Sequence, residues 1–242
     1  MQIRNDWTEE LEGVLIFSIL VYSMDTHNSK MDWNRYWVIV NWDAFIKKAH
    51  PLLKEVYNKE IKYVGKISGN ALEIGCGTGR VLKVLAKNCK KVVGVDESQF
   101  MGDKAKRITK HFKNVEIYKQ NAKKMKFKDC TFDAILCLAN TFGNQGKDKE
   151  KALREMKRVS KKGGKIIISV FNEKALGPRL ESYKNAKLKS IKITRTGTVY
   201  SGSKFFSEQF TKNKLEKLFQ KNKLKCKIVD FTPISYLCIC KK

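Results

Sequence analysis

The chain has 242 residues, enough for one α/β domain with a sizeable core, and 42% of them are hydrophobic. With only three prolines, this composition excludes long disordered linkers. The charge is the unusual property: 50 Lys and Arg stand against 24 Asp and Glu, which gives a net charge of +26. Such a surface attracts anions, but the lysines are scattered through every segment. The sequence therefore favours a solvated basic surface over a dedicated nucleic-acid interface.

The seven cysteines form no C-x-x-C pair and no metal-ligand spacing with the three histidines, so no metal site is predicted. The odd number of cysteines and the lack of a disulfide framework indicate a reducing compartment, and we expect a cytoplasmic location. Cys238 and Cys240 alternate with apolar residues near the C-terminus. We expect core or strand positions for both, without a redox role.

Residues 1–30 differ from the remainder because acidic residues outnumber basic ones there. Their apolar stretch, 13–22, has about ten residues and is too short to span a bilayer. Its acidic front does not match a signal peptide, so no stable membrane insertion is predicted. Two interpretations stay open: an appended helix, or an extension upstream of a true start at Met31. Residues 31–242 are predicted to form one domain.

The next region, 31–64, contains aromatic residues followed by an apolar set at helical spacing, with a break near His50 and Pro51. After it, residues 71–80 read Ala-Leu-Glu-Ile-Gly-Cys-Gly-Thr-Gly-Arg, and apolar residues then recur at helical spacing. This pattern predicts a strand, a tight glycine turn and a helix, whose free N–H groups suit a nucleotide-like ligand. The spacing E-x-G-x-G-x-G fits neither the dinucleotide fingerprint nor the P-loop.

The stretch 71–80 resembles the first motif of class I S-adenosylmethionine-dependent methyltransferases. The resemblance implies that Glu73 faces the positively charged methionine end of S-adenosylmethionine. It also places Gly75, Cys76, Gly77 and Gly79 against the cofactor. In that family the region before the motif is a helical lid, from which Tyr36 or Trp37 would close on the methionine end; packing of these aromatic residues against the sheet is the alternative.

Residues 91–96 form a short β-rich run that ends in Asp96, which lies 17 residues beyond Gly79, the last glycine of the turn. A carboxylate there accepts the ribose hydroxyls of a nucleoside, so we assign Asp96 to the ribose. Glu97 and Met101 open the following helix, and the resemblance assigns both to the cofactor site. A third strand, 115–118, leads to Asn121 and Ala122, where the family commonly has an Asp-Ala pair at the adenine. The amide of Asn121 can still face the adenine edge through its carbonyl.

Residues 131–138 are predicted to be the fourth strand, and Leu138 at its end is assigned to the cofactor site. Asn140 follows in the loop where acceptor and methyl group meet in open parallel sheets. The loop reads Asn-Thr-Phe-Gly-Asn, without the two prolines typical of base-amino methyltransferases, and the chain has no Pro-Cys pair. It looks more like small-molecule methyltransferases of the glycine and sarcosine type.

A helix is predicted for 148–160, with Gly163 and Gly164 as its stop, followed by a buried strand over 165–171. Residues 172–210 are predicted to be a cap insertion with a hairpin, in which Tyr200 is an acceptor-side candidate. An amphipathic helix to residue 220 and two strands, 225–231 and 235–240, complete the chain.

The predicted fold is therefore a Rossmann-like, doubly wound α/β sheet, mostly parallel with an antiparallel last strand and helices on both faces. The predicted function is transfer of a methyl group from S-adenosylmethionine to N, O or S of a small molecule, with Asn140 and Tyr200 as acceptor-side residues. Two alternatives stay open: an rRNA or tRNA methyltransferase that draws on the basic charge, and a non-catalytic S-adenosylmethionine-binding regulator.

Overall fold

The computed structural model describes residues 42–188, 191–201 and 205–242. Two sheets occur in these ranges, one of seven strands and one of three. The strands are β1 (Gly69–Ile74), β2 (Cys89–Asp96), β3 (Val115–Lys119), β4 (Phe132–Cys137), β5 (Ser160–Phe171), β6 (Lys192–Ile193), β7 (Val199–Tyr200), β8 (Phe206–Ser207), β9 (Lys225–Thr232) and β10 (Ser235–Lys241). The large sheet has the order β3-β2-β1-β4-β5-β10-β9. Only β10 runs against its neighbours in it, so the predicted mostly parallel sheet with an antiparallel last strand is confirmed.

Helices cover both faces of the large sheet. Successive residues of a strand point to opposite sides of the sheet, and here apolar side chains on both sides pack against helices. The helices are α1 (Trp42–Lys48), α2 (Pro51–Val64), α3 (Leu82–Asn88), α4 (Gln99–Thr109), α5 (Lys149–Val159), α6 (Leu176–Asn185) and α7 (Lys212–Lys221). Leu72 packs in a core with α5 and α7, whereas its neighbour Ala71 packs in a second core with α2, α3 and α4. The fold is Rossmann-like, as predicted.

The glycine pair after α5 does not stop that helix, contrary to the sequence prediction. The helix ends at Val159, and β5 already pairs with β4 from Ser160 onward. Gly163 has φ of 74° and lies within β5, in the part where the pairing register with β4 shifts. The positive φ that glycine allows at this position therefore accommodates an irregularity in β5; it does not end the helix.

The cap, 172–210, contains α6 and the small sheet. Strands β6 and β7 pair antiparallel at the residues where the hairpin was expected, and β8 adds a third strand that the sequence did not indicate. Strand β8 also contacts the short 3₁₀ helix Thr141–Asn144, which follows β4. The cap is therefore connected to the end of the large sheet.

A disulfide joins Cys226 on β9 to Cys240 on β10, and it contradicts the expectation that Cys240 has no redox chemistry. The two residues are partners in the antiparallel register, a relationship that their spacing in sequence does not reveal. Cys238 is a free, buried thiol, which agrees with the core position predicted for it.

Within the described ranges, none of the helices has the length and apolar character needed to cross a bilayer. The interpretations of residues 1–30 and the lid role of Tyr36 or Trp37 concern residues outside these ranges.

Candidate functional site

A cleft opens at the carboxyl ends of β1, β2 and β4 and encloses about 1080 Å³, including its open mouth. Its walls come from the glycine turn after β1, the end of β2, the loop after β4, and aromatic residues of the helices and the cap. This is the position at which open parallel sheets bind ligands. The aromatic wall residues are Phe45, Tyr57, Phe171, Tyr183 and Phe205.

The glycine turn has two positions that require glycine for different reasons. Gly75 has φ of 69°, and a Cβ there would overlap the side chain of Thr141. Gly77 has φ of 53° but has no heavy atom within 4 Å of the place a Cβ would take. Both glycines line the cleft, so a ligand can approach the bare backbone at Gly77. Gly79 lies behind the turn, where its Cβ position is 3.2 Å from Ala105 of α4.

Asp96 closes the same turn from the end of β2. Its Oδ2 accepts a hydrogen bond from the Gly77 N–H at 2.9 Å, and its Oδ1 accepts one from the Ser98 N–H at 2.9 Å. Burial raises the pKa of the carboxyl, while these backbone donors oppose that effect. Each oxygen keeps a lone pair for a further donor, which suits a pair of ligand hydroxyls.

Glu73 is a buried carboxylate without a full set of partners. The residue is 4% exposed, and its Oε2 accepts no hydrogen bond within the described structure. Burial raises its pKa well above the ordinary value; Arg80 opposes this effect, whereas Glu60 and Asp96 add to it. A buried carboxylate that lacks hydrogen-bond donors is stable only when it is protonated or has a cation beside it.

A second buried carboxylate, Glu60 of α2, was not predicted from the sequence. It is fully buried, and its Oε2 accepts a hydrogen bond from Arg80 Nη2 at 2.8 Å. Its Oε1 accepts hydrogen bonds from the Ala139 N–H at 2.8 Å and from Ser169 Oγ at 2.6 Å. Glu60 therefore ties α2 to the glycine turn, to the end of β4 and to β5. A charged residue on a helix carries no sequence signal for such a role.

Three further residues assigned to the cofactor site lie in the cleft wall: Glu97, Met101 and Ala122. Asn121 is not part of this wall. Both polar atoms of its amide form hydrogen bonds with other protein groups. Its Nδ2 donates to Glu97 Oε1 at 2.9 Å, and its Oδ1 accepts from the Lys123 N–H at 2.9 Å. The structure therefore gives Asn121 the role of holding Glu97.

The acceptor-side candidate Asn140 lies in the wall and is 2% exposed. It and Ala139 adopt left-handed backbone conformations, with φ of 58° and 50°, directly after β4. The Asn140 amide donates to Ser207 Oγ and to the Glu208 carbonyl, each at 3.1 Å, and accepts from the Phe171 N–H at 3.1 Å. With these bonds Asn140 joins the ends of β4 and β5 to the cap, so its amide holds this part of the cleft wall in place.

The remaining residues predicted for the site either lie behind the cleft wall or belong to parts of the chain that the structure does not describe. Cys76 and Leu138 are buried at 4% and 3% exposure, and burial raises the pKa of the Cys76 thiol. Tyr200 belongs to β7, but its side chain is outside the described part, as is Tyr36. In the described ranges, no group of three His, Cys, Asp or Glu residues is arranged to hold a metal ion.

A doubly wound sheet with a glycine turn after β1 and a carboxylate at the end of β2 defines a nucleoside-binding α/β protein. Residues 72–168 match the family model described as a methyltransferase domain. This part of the chain is thus a methyltransferase domain, in agreement with the resemblance of its first motif to class I S-adenosylmethionine-dependent methyltransferases.

Two curated relatives are similar over part of the chain. The uncharacterized protein MJ1123 of Methanocaldococcus jannaschii is 32% identical over 139 residues, which cover 57% of this chain and 62% of that protein. The ubiquinone/menaquinone biosynthesis C-methyltransferase UbiE of Escherichia coli is 33% identical over 119 residues, 46% of each protein. The chain thus matches about half to three fifths of these relatives.

Two solved structures share the fold. The PH0226 protein of Pyrococcus horikoshii superposes with a TM-score of 0.66 at 23% identity, covering 87% of this chain and 99% of that one. The 1,6-didemethyltoxoflavin-N1-methyltransferase of Burkholderia thailandensis, solved with its substrate and S-adenosylhomocysteine, has a TM-score of 0.57 at 14% identity. It covers 89% of this chain and 93% of that one.

Proposed function

We propose that this protein binds S-adenosylmethionine in the cleft and transfers its methyl group to N, O or S of a small molecule. The observation that carries the proposal is the unpartnered Oε2 of Glu73, a buried carboxylate oxygen beside the glycine turn. A cationic cofactor stabilises the charged form of this buried carboxyl, whereas an anionic ligand disfavours it.

The other residues of the turn fit the same cofactor. Asp96 keeps one lone pair on each oxygen for the ribose hydroxyls, and Gly77 presents bare backbone. Met101 and Ala122 offer apolar contacts for the adenine ring. The cofactor roles of Gly75, Gly77, Asp96 and Met101 are thus supported by one cleft that all four residues line, and Glu73 lies behind that wall, two residues before Gly75.

The walls on the acceptor side favour a small molecule. Five aromatic rings line the cleft, two of them from the cap, and apolar, concave walls are typical of small-molecule sites. The Burkholderia neighbour is named for a small heterocyclic substrate and UbiE for quinone biosynthesis, which supports this substrate class. Since UbiE is named a C-methyltransferase, the product must also be examined for methylated carbon.

The bound sulfonium would supply an activated methyl group, so the protein must mainly align the acceptor and exclude water. Tyr57 lines the cleft, and burial together with Glu60 raises the pKa of its phenol. The phenol therefore stays protonated at neutral pH and acts as a hydrogen-bonding group instead of a base. Asn140 fixes the wall against which the acceptor lies.

Calorimetric titration with S-adenosylmethionine and S-adenosylhomocysteine tests the cofactor assignment. Both are expected to bind, and Asp96→Asn to bind them about tenfold or more weakly, because a charge-assisted hydrogen bond contributes about 1.5–3 kcal/mol. Asp103→Asn removes a carboxylate from the exposed face of α4 and serves as the matched control. Absence of binding by the wild-type protein would refute the proposal.

Incubation of the protein with labelled S-adenosylmethionine and fractionated cell extract then identifies the acceptor class. We expect label in the small-molecule fraction. Label in RNA, with binding that weakens steeply as salt rises, would support the alternative that draws on the charge of +26. Cofactor binding without labelling of any fraction would support the regulatory alternative.

A further inference from the structure

Ser207 of β8 lies in the cleft wall and is 1% exposed. Its Oγ accepts two hydrogen bonds, one from Asn140 Nδ2 at 3.1 Å and one from Tyr183 Oη at 3.2 Å. A hydroxyl oxygen has two acceptor sites and one proton. Both acceptor sites are therefore used, and the proton has no acceptor among the described residues.

This arrangement makes the Ser207 hydroxyl a good donor. Hydrogen bonds donated to an oxygen polarise its own O–H bond, so two of them strengthen the third. Asn140 and Tyr183 also lock the oxygen in place, because Asn140 is itself held by the Phe171 N–H. Two of the three directions at the oxygen are occupied by protein donors, and the cleft borders Ser207. A buried donor without a protein acceptor calls for a ligand acceptor.

Arg179 lies directly behind Ser207 and brings a full positive charge. It is fully buried, and its Nη2 donates to the Ser207 carbonyl at 2.5 Å. Its Nη1 donates to the Gly197 carbonyl at 3.1 Å and to Gln209 Oε1 at 3.0 Å, while Nε has no partner in the described structure. The guanidinium also lies 5.2 Å from the ring centre of Phe171, a residue of the cleft wall.

No carboxylate of the described residues forms an ion pair with Arg179. The carboxylate of the neighbouring Glu208 instead forms ion pairs with Lys149, at 2.8 Å, and with Lys214. Carbonyl dipoles and aromatic faces compensate a buried guanidinium only in part, and an unpaired buried charge costs several kcal/mol. A buried positive charge therefore lies behind the cap end of the cleft, whereas the glycine-turn end has the carboxylate of Asp96 in its wall and that of Glu73 behind it.

We propose that the acceptor end of the cleft binds the carboxylate of an aromatic acid. The carboxylate accepts the hydrogen bond of Ser207 Oγ, the charge of Arg179 stabilises it from behind, and the ring lies between Phe171 and Phe205. This inference rests on the proposed function and names its substrate class: the molecule that receives the methyl group carries an anionic oxygen.

The test compares benzoate with benzamide, which have nearly the same shape but differ in charge. Each is titrated calorimetrically into the protein with and without saturating S-adenosylhomocysteine, in about 0.3 M salt to suppress nonspecific attraction by the basic surface. Benzoate is expected to bind at least about tenfold more tightly, the effect of one charge-assisted hydrogen bond. Ser207→Ala is expected to lose most of this preference.

Two control variants isolate the effect. Ser235→Ala removes another fully buried hydroxyl, on β10, and should keep the preference for benzoate. Arg195→Gln removes an exposed positive charge from the same cap and should also keep it. A preference lost equally in Arg195→Gln would show a general charge effect and overturn the inference.

The outcomes separate this inference from the proposed function. If S-adenosylhomocysteine binds but benzoate and benzamide bind equally, the inference is wrong and the methyltransferase proposal stands. If S-adenosylhomocysteine does not bind, the proposed function fails, and the inference that rests on it fails with it. Benzoate preference retained in Ser207→Ala also overturns the inference; if that variant does not fold, the wild-type comparison decides alone.

Discussion

Arg80 Nη2 donates to Glu60 Oε2 at 2.8 Å, and this ion pair joins the glycine turn to helix α2. Arg80 Nη1 also donates to the Tyr57 carbonyl at 2.9 Å. The carboxylate has no exposed surface, whereas the arginine side chain is 26% exposed. The pair therefore lies at the boundary between the core and the turn that borders the cleft.

We expect Arg80→Met to destabilise the protein by about 3–5 kcal/mol, because the variant leaves Glu60 charged, buried and without its cation. Urea unfolding measures the change. Lys106→Met is the control, since it breaks an ion pair with Asp103 in which both side chains are more than half exposed. That variant should lose less than about 0.5 kcal/mol. Equal losses in both variants would contradict a special role for the buried pair.

Alanine at Gly75 and at Gly77 should give different results although both glycines have positive φ. Each variant incurs a backbone cost of about 1–2 kcal/mol. Gly75→Ala also forces a Cβ into Thr141, so its free energy of unfolding should fall further, whereas Gly77→Ala should lose mainly cofactor affinity. Thermal unfolding and titration with S-adenosylhomocysteine measure the two effects.

Gly102→Ala is the matched control for these glycine variants. The residue lies inside α4, where a Cβ would make only an ordinary contact with Ile117 at 3.8 Å, so alanine there should be neutral or stabilising by up to about 1 kcal/mol. A Gly77→Ala protein that binds S-adenosylhomocysteine as the wild type does would show that the ligand does not approach this part of the turn.

The pH dependence of stability should report the buried Glu73 carboxyl. Its pKa is raised in the folded protein, so the folded state holds its proton more tightly than the unfolded state does. The resulting stabilisation is complete below the ordinary pKa of Glu and is lost as the pH rises through the raised pKa. Without cofactor, the wild type should therefore lose stability over this range relative to Glu73→Gln.

Melting temperatures of both proteins between pH 4 and pH 8, roughly spanning the range above the ordinary Glu pKa, test this expectation. Asp96 has a pKa raised in the same direction by burial and is present in both proteins, so the difference between the two curves reports Glu73 together with its repulsion from Asp96. Parallel curves for the wild type and Glu73→Gln would show that Glu73 does not titrate in this way.

Reduction of the disulfide between Cys226 and Cys240 should destabilise the protein. The bond closes a loop with a sequence separation of 14, for which loop-closure entropy predicts about 3 kcal/mol. Urea unfolding with and without a reductant measures the loss, and a Cys226→Ser/Cys240→Ser protein should be insensitive to the reductant. A wild type that is equally stable in both conditions would contradict this expectation.

Much of the fold follows from local patterns in the sequence. The first four strands were predicted to within two residues or so, because apolar runs bounded by turns are local features. Asp96 was placed in the cleft for the same reason: a strand end followed by an acid is visible in the sequence. The Gly163–Gly164 stop was wrong because β5 had already begun at Ser160, where pairing with β4 takes precedence over glycine's local preference.

The parts of the site that the sequence did not reveal depend on contacts between distant residues. Glu60 binds groups that are 79 and 109 residues away in sequence, so on its own helix it resembles an ordinary surface acid. Ser207 and Arg179 gain their significance only from the cap's position against the sheet. The same holds for the pairing of Cys226 with Cys240, which is set by the register of two strands.

The position of β10 constrains the order in which the domain can form. This strand lies between β5 and β9, although both precede it in the chain. Until residues 235–241 are available, β9 has no hydrogen-bonding neighbour in the large sheet, and β5 exposes one edge. β10 is inserted between two strands that precede it in the chain, so β9 can join the large sheet only after residues 235–241 have been synthesised.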